Sequence, residues 1–423
     1  MNCLERKEKW QAIADAVGGK LGEEIVEALR ELYSIYTPDM VDWFANLYDP
    51  KIGGWYYSNG ARDNDTVIYK EKEYKLLPDA ESTCQALGFI NGSGMLEGIG
   101  GNYSNILPEW MKKQIISYVK GLQDPDGYFY HPHWGKEIPV SRRARDFSWC
   151  TGILNTLGEK PNYPTILDAK KGNATTDTLI PDHLKSPEAF AEYLISLNVP
   201  NCSYPAGNTL SSQSMQIKAC GLFDQMIEYL SSIQHADTGL WHSVPDYYGV
   251  NGLMKISGLY VGAGLVLPHS LEAANSAFDA IISDVPIGTV VELWNTWEAI
   301  TRIVANLRKN GGEDGERMAN EIFKKMRERA PEAIRRSKEK IEAFKKADGG
   351  FSYGTNWSSQ TSQGMPVTLY HAPEGDINAT VIAGPYLISS IFSVLNLAPY
   401  KIPLYDATDR VRFLEILEKN RNA

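Results

Sequence analysis

Four short segments of the chain share one pattern, in which an acidic residue, a glycine and an aromatic residue follow a helical stretch. The segments are residues 48–58, 122–132, 233–243 and 344–354. Aspartate and glycine favour a tight turn, because glycine adopts positive φ at little cost. The aromatic residue can then fold back into the gap between neighbouring helices. The last two intervals are each on the order of a hundred residues, as expected if one unit holds two helical hairpins.

Most of the remaining sequence shows helical periodicity, with apolar residues at three- and four-residue steps. No series of alternating apolar segments indicates a sheet, and 43% hydrophobic residues are enough for a full core. Asp79 and Ser186 are placed to cap helices. The stretch 313–346, rich in charge, is expected to be one long solvated helix. The sequence therefore predicts an all-α protein, with helices over residues 23–36, 38–46, 80–90, 109–121, 147–157, 187–197, 212–233, 249–266, 270–283, 290–307, 315–344, 379–395 and 409–419.

Charge and cysteine usage restrict the environment and the partners. A formal net charge of -10 argues against nucleic acid or an anionic membrane as the main partner. The five cysteines form no C-x-x-C pair, so a zinc or redox motif has little support, and buried thiols fit a reducing compartment. No secretory signal and no apolar run of membrane-spanning length is visible. We expect a cytoplasmic protein.

The repeated turns resemble those of a known superfamily. The segments QDPDGYF (123–129), QHADTGLW (234–241) and ADGGF (347–351) are similar to helix-end turns of the α/α toroid proteins. That superfamily includes terpenoid cyclases, prenyltransferase β subunits, six-hairpin glycosidases and polysaccharide lyases. The resemblance covers most of residues 39–397 and implies an (α/α)6 toroid, a ring of inner helices wrapped by outer ones. Its cavity is expected to open where the four turns lie. Residues 1–38 would form an N-terminal helical extension, and residues 39–423 a single catalytic toroid.

The members of this superfamily differ in their motifs. The Asp-x-Asp-Asp motif of the alkene-protonating cyclases is absent, since the nearest segment is Arg62-Asp-Asn-Asp65. Cys202 lacks the Asp-x-Cys context and the downstream histidine of the prenyltransferase zinc site. The resemblance therefore favours a carbohydrate-active member.

The segment 128–150 is rich in reactive side chains. Arginines in it could clamp the carboxylate of a uronic acid, aromatic residues could stack on a sugar ring, and His133 could move a proton near neutral pH. Alternatively, this is a loop that packs its aromatic side chains and pairs its arginines with surface carboxylates. The candidate substrate-binding residues are Tyr130, Trp134, Arg142, Arg143 and Arg145.

Three carboxylates are candidates for acid–base catalysis: Asp79, Glu81 and Asp146. Glycoside hydrolysis uses two carboxyl groups, one as proton donor and one as nucleophile or base. Each also has a structural interpretation. Asp79 could cap a helix, Glu81 could favour the helix dipole, and Asp146 could pair with Arg142 one turn earlier.

A third region, 241–255, contains the residue types that a uronate lyase needs. Tyr248, like His133, could act as the base, with Lys255 stabilising the enolate-like charge and His242 contacting substrate. The alternative is a snorkelling lysine beside a packed tyrosine. A fourth region is the polar loop from residue 355 onward, where Trp357 and Asp376 could complete the mouth of the cavity. Asp376 could instead cap the next helix.

No nucleotide-binding or zinc-protease motif is present, so we expect neither cofactor nor metal. The function that we expect is glycoside hydrolysis of a uronic-acid-containing oligosaccharide. The nearest alternative is β-elimination by a lyase, followed by a terpenoid cyclase-like enzyme and a toroid that binds without catalysis. Charged side chains in the cavity would favour the carbohydrate-active classes over a cyclase. The sequence leaves the oligomeric state open.

Overall fold

The computed structural model describes residues 6–168 and 180–423, and the described chain is predominantly helical, which confirms the all-α class. Its α-helices are α1 (Lys7–Val17), α2 (Gly19–Tyr33), α3 (Asp39–Asn46), α4 (Asn59–Asp63), α5 (Ala80–Gly92), α6 (Glu109–Gly121), α7 (Val140–Thr156), α8 (Pro187–Ser196), α9 (Ser203–Ser212), α10 (Ser214–Ala219), α11 (Phe223–Ser232), α12 (Tyr247–Ala263), α13 (Ser270–Ile282), α14 (Val290–Asn310), α15 (Gly312–Glu328), α16 (Ala330–Glu342), α17 (Ile377–Val381), α18 (Leu387–Val394) and α19 (Ala407–Arg421). A π-helical turn, Ile382–Tyr386, joins α17 to α18. Short 3-10 turns occur at Tyr103–Asn105, Asp182–Leu184 and Ala398–Tyr400.

The strands are short and form three separate antiparallel hairpins. These are β1 (Tyr48–Asp49) with β2 (Gly54–Trp55), β3 (Thr66–Tyr69) with β4 (Lys72–Lys75), and β5 (Thr361–Ser362) with β6 (Met365–Pro366). The β1–β2 hairpin is the first of the four repeated turns, and the β5–β6 hairpin lies in the long polar loop.

Six helical segments of the described chain pack against one another in a closed circuit. In order, α5 contacts α7, α7 contacts α9, α9 contacts α12 and α12 contacts α14. Helix α14 then contacts α18 and the π-helical turn, and α17 returns to α5. A second set of helices packs on this inner circuit, with α6 on α7, α11 on α12, and α13 and α16 on α14. The inner helices therefore enclose a centre that the second set does not reach.

The four repeated turns have one common geometry. In each, a glycine with positive φ is followed two residues later by an aromatic side chain with no exposed surface. The pairs are Gly53 and Trp55, Gly127 and Phe129, Gly239 and Trp241, and Gly349 and Phe351. Trp55 Nε1 donates to the Phe44 carbonyl of α3 at 3.0 Å, and Trp241 Nε1 donates to the Leu230 carbonyl of α11 at 2.8 Å. The predicted turns are thus confirmed, and these two indoles are bonded to the helix before the turn.

Gly239→Ala tests how strongly these turns require glycine. At φ +67°, a Cβ on residue 239 would lie 2.4 Å from Ala273 N and 2.6 Å from the His269 carbonyl oxygen. Strain and overlap together should lower the free energy of unfolding by about 3 kcal/mol, measured in urea. The control is Gly221→Ala, because Gly221 has a similar φ of +76° but no neighbouring atom within 4 Å. Equal losses in both variants would show that the close packing of this turn is unimportant.

The helix boundaries differ from the sequence predictions in several places, among them α1 and α4, which were not predicted, and α7, which begins at Val140 and not at residue 147. Helix α9 was not predicted, and the expected helix 212–233 is wrong, since α10 and α11 are separated by Gly221 at positive φ. The single solvated helix expected over 313–346 is also wrong. It is broken between α15 and α16 near Pro331, which has no backbone N–H to continue a helix. Both pieces bury an apolar face, which includes Phe323 and Ile334.

The described residues contain one helical stretch that is long and apolar enough to cross a membrane. It is Ile377–Val394, whose mean hydropathy is 1.5. This apolar stretch was not predicted from the sequence. Most of it, 78%, is buried inside the protein, as in a core helix. This burial follows from its place in the inner circuit, where α17 contacts α5 and α18 contacts α14.

Candidate functional site

A cavity of about 920 Å³ lies at the centre of the inner circuit. Every inner segment contributes to its wall, from α5, α7, α9, α12, α14 and the α17–α18 region. Its charged lining side chains are Glu81, Arg145, Lys255, Glu298 and Arg302. Its aromatic lining side chains are Tyr57, Trp149, Tyr204, Trp294, Tyr353 and Tyr386. Of the repeated turns, only the first and fourth reach this wall, through Tyr57 and Tyr353.

One wall of the cavity rests on a buried ionic cluster centred on Arg142. This guanidinium, which is 0% exposed, lies 2.8 Å from Asp79 Oδ1, 3.1 Å from Glu81 Oε2 and 3.0 Å from Asp146 Oδ1. Burial by itself would lower the pKa of Arg142, but the surrounding carboxylates outweigh it and raise that pKa. The Trp134 ring covers the guanidinium at 4.4 Å. Three carboxylates predicted from two separate parts of the sequence therefore share one arginine.

Only one of these three carboxylates faces the cavity. Asp79 is the N-cap of α5, where it accepts hydrogen bonds from the backbone N–H groups of Glu81 and Ser82. Asp146 pairs with Arg142 one helical turn away, and burial raises its pKa to about 7. Glu81 reaches the cavity surface, because it lies in the first turn of α5 on the inner side. Asp79 and Asp146 thus pair with Arg142 away from the cavity surface, and Arg142 in turn pairs with Glu81 at that surface.

Arg145 connects Glu81 to the next part of the wall. Its Nη1 lies 3.7 Å from Glu81 Oε1, its Nε donates to Ser212 Oγ at 3.0 Å, and Nη2 donates to Asn208 Oδ1. The amide of Asn208 in turn donates to Gln363 Oε1 at 2.8 Å. Gln363 belongs to the β5–β6 turn, whose Ser362 hydroxyl donates to Glu81. The β5–β6 hairpin therefore covers one side of the cavity and is tied to both α5 and α9.

A second acid–base pair lies on α14. Arg302 Nε donates to Glu298 Oε1 at 2.9 Å, and Ser390 Oγ donates to Glu298 Oε2 at 2.9 Å. Arg302 also donates to the Met254 carbonyl of α12 at 2.8 Å. Sequence reasoning missed this pair. A signal was available, because the polar residues Asn295, Glu298 and Arg302 recur at three- and four-residue steps and therefore share one face of the helix.

Asp376 is placed behind the cavity wall. It caps α17 by accepting from Ala379 N, and it also accepts from Tyr353 N, both at 2.8 Å. Burial raises its pKa to about 7, even though these hydrogen bonds oppose the shift. The cap expected as the structural alternative is therefore present. Asp376 acts on the cavity only through Tyr353 and Tyr57, which line it.

Asp376→Asn should flatten the dependence of stability on pH. A carboxyl whose pKa is raised on folding stabilises the protein below its unfolded pKa, and this contribution is lost as pH rises towards 7. Wild-type protein should lose at most about 1.4 kcal/mol per pH unit from this group between roughly pH 4 and 7. Urea unfolding at several pH values should show a smaller slope for the variant. Asp246→Asn, at the exposed cap of α12, should leave the slope unchanged. A D376N slope equal to that of wild type would contradict this role.

Several predicted residues do not line the cavity. Tyr130 donates to Asp126 at 3.0 Å, and the Arg143 guanidinium lies 5.0 Å from the centre of the Tyr128 ring. His133 is exposed, and His242 packs edge-on against Tyr248 at 5.1 Å. Trp357 packs 6.1 Å from Tyr353, just behind the wall. Of the predicted set, the structure brings Glu81, Arg145 and Lys255 to the cavity surface.

Trp134 lines a separate groove of about 610 Å³ beside the β3–β4 hairpin. Within the described residues, no group of three or more histidine, cysteine, aspartate or glutamate side chains has an arrangement that could hold a metal ion. Comparison of the chain with protein-family models, with curated proteins and with solved structures finds no match. The geometry of the central cavity is therefore the main indication of what the protein does.

Proposed function

We propose that the protein is an (α/α)6 toroid whose central cavity hydrolyses a glycosidic bond in an oligosaccharide containing uronic acid. The observation that carries the proposal is the cavity lining, in which two carboxylates, three cationic side chains and six aromatic rings face one space. The closed circuit of inner helices and the second set packed on it support the toroid. Four of the inner segments, which begin with α7, α12, α14 and α17, each come after a helix of the second set along the chain, as in a series of helical hairpins.

The charges in the cavity favour carbohydrate chemistry over isoprenoid chemistry. A cyclase must hold an apolar chain and stabilise carbocations, for which an apolar aromatic pocket is suited. Arg145, Lys255 and Arg302 would oppose a carbocation. The same side chains suit a substrate with a carboxylate, and flat aromatic rings suit the apolar faces of a sugar.

Glu81 and Glu298 are the carboxylates that line the cavity among the described residues. Glycoside hydrolysis needs one carboxyl group to protonate the leaving oxygen and a second to act as nucleophile or to activate water. Both groups are held in place, Glu81 by Arg142 and Ser362, and Glu298 by Arg302 and Ser390. We assign this pair to catalysis and Arg145 to the substrate carboxylate.

One observation favours a lyase as the second candidate. Lys255 faces the same space as Arg145 and Arg302, so a base and two groups that neutralise a carboxylate are present together. His133 and Tyr248, the bases expected from sequence, are not in the cavity wall, so Lys255 would take the role of base. Elimination would remove the proton next to the carboxylate and expel the leaving sugar without consuming water.

Mass spectrometry of products from a mixed panel of uronic-acid oligosaccharides tests the proposal. Products that sum to substrate plus one water support the hydrolase. Products that sum to substrate, with the ultraviolet absorbance of a conjugated double bond, support the lyase. If no member of a panel that covers the common uronic acids is cleaved, the proposed substrate class is wrong.

Glu81→Gln and Glu298→Gln should each lower kcat at least about 100-fold if these two groups carry acid–base catalysis. Thermal unfolding checks that each variant is folded, which matters most for the buried Glu81. The control is Glu109→Gln, at an exposed position on α6, which should retain full activity. Full activity in E298Q would remove Glu298 from the catalytic pair.

A further inference from the structure

Lys255 is the cationic side chain of the cavity that has no bonded partner. The two arginines are each bonded to a carboxylate, Arg145 to Glu81 and Arg302 to Glu298. Within the described chain, Lys255 Nζ makes no hydrogen bond or ion pair, and it lies 5.9 Å from the centre of the Tyr204 ring. A buried ammonium group normally has hydrogen-bond acceptors for its protons. The described part of the protein therefore offers no acceptor to the protons of a charged Lys255 ammonium.

The fold directs this side chain towards the cavity. Lys255 lies in the middle of α12, which packs closely on α9 at Gly207, where an added Cβ would lie 3.0 Å from Lys255 Cβ. Side chains at this helix contact are confined, and Lys255 extends into the open space, whose wall it forms. The amine is therefore accessible to a small molecule that enters the cavity.

The charged groups around Lys255 come from three of the other inner helices, α5, α7 and α14. Arg145 on α7 and Arg302 on α14 oppose a third positive charge, whereas Glu81 on α5 and Glu298 on α14 favour it. Both carboxylates are already compensated by the arginines. Desolvation has the largest influence, followed by the arginines, so the pKa of Lys255 lies well below the usual value for lysine.

Lys340 is a lysine whose hydrogen bonds are all made within the protein, and it serves as a comparison for Lys255. Its Nζ donates to the Tyr247 hydroxyl and to the carbonyl oxygens of Ile281 and Ser283, so all three protons have acceptors. Burial lowers the pKa of Lys340 to about 8, yet the group is fully used in packing. Lys255 is also partly buried, but it has no such acceptors and faces a cavity instead.

We propose that Lys255 is a nucleophilic amine that forms an imine with a small carbonyl compound carrying an anionic group, such as a 2-oxo acid. The nitrogen lone pair attacks the carbonyl carbon, and the electron pair of the C=O π bond moves to oxygen. Two protons pass from nitrogen to that oxygen, and water leaves as the C=N bond forms. No oxidant or reductant is consumed, and hydrolysis reverses the step. Arg145 and Arg302 would bind the anionic group beside the reacting carbon.

The inference does not depend on the proposed hydrolase activity, and its test uses no sugar. Full-length protein is incubated at about pH 7 with glyoxylate and cyanoborohydride, which reduces an imine to a stable secondary amine. Peptide mass spectrometry then gives the modified fraction of each lysine. We expect Lys255 to be modified at least about tenfold faster than Lys113, an exposed lysine on α6, because more of it is unprotonated at this pH.

Two comparisons complete the experiment. Propanal, a neutral aldehyde, should modify Lys255 more slowly than glyoxylate does, whereas equal rates would overturn the anionic part of the proposal. Lys255→Arg should lose the adduct while retaining the thermal unfolding temperature. The measurement on wild-type protein remains decisive if that variant fails to fold. Modification of Lys255 no faster than that of Lys113 and Lys340 would overturn the proposal.

Discussion

Replacement of Arg142 with methionine is expected to lower the free energy of unfolding by about 3–5 kcal/mol, because it leaves buried carboxylates without their counter-charge. Arg142 has no exposed surface and contacts three carboxylates, those of Asp79, Glu81 and Asp146. Methionine roughly fills the space but supplies neither charge nor donor. Urea unfolding at about pH 8 measures the loss.

The loss of unfolding free energy in R142M should be smaller in acid, because the folded variant then binds more protons than the unfolded chain. Burial raises the pKa of Asp146 to about 7 although Arg142 opposes the shift, so removal of the arginine should raise that pKa further. Asp146 therefore stabilises the folded variant below the unfolded pKa of aspartate, and this contribution is lost as pH rises. R142M should thus be closer to wild type at about pH 5 than at pH 8. The matched control is Arg143→Met, which removes a partly exposed guanidinium beside Tyr128 and should cost about 1 kcal/mol or less. Equal losses for the two variants would refute the structural role of the cluster.

Trp241→Ala should cost about 3–5 kcal/mol in unfolding free energy, because it opens a cavity in the core and breaks a buried hydrogen bond. Trp241 is fully buried at the third repeated turn, and its indole donates to Leu230 O at 2.8 Å. The measurement tests whether the repeated aromatic residues stabilise the fold, as distinct from the aromatic residues that line the cavity.

The comparison variant is Trp357→Ala, in the polar loop behind the cavity wall. Trp357 is partly exposed, so its loss should cost less than half as much as the loss of Trp241. If W241A unfolds at the urea concentration of wild type, then the Trp241 side chain does not contribute to the stability of the fold. A cost for W357A that exceeds that of W241A would reverse the assignment of the two roles.

Local features of this protein follow from local sequence. The glycine–aromatic turns, the caps at Asp79 and Ser186 and most helix positions depend on contacts within a few residues of the chain. The wrong helix predictions over 212–233 and 313–346 also have local causes. Gly221 and Pro331 interrupt helices at points where the apolar periodicity continues across the break. Periodicity by itself therefore predicts one helix where the structure has two.

The composition of the cavity depends on contacts between distant residues. Gln85 and Asn378 are hydrogen-bonded across the closure of the inner circuit although 293 positions separate them, and Ser362 reaches Glu81 across 281 positions. From the sequence, Asp79, Glu81 and Asp146 were all candidates for acid–base catalysis. Burial separated them, because only Glu81 is on the inner side of the wall.

The sequence by itself determined the helical class, the repeated turns and a set of polar residues that included Glu81, Arg145 and Lys255. Hydrogen bonding and steric preference over short distances are sufficient for this. Only the tertiary structure decided that Arg142 is a buried support, that Glu298 and Arg302 face the cavity, and that Lys255 has no partner. The charge state and accessibility of a side chain depend on which distant helices surround it, and the order of residues along the chain does not specify those neighbours.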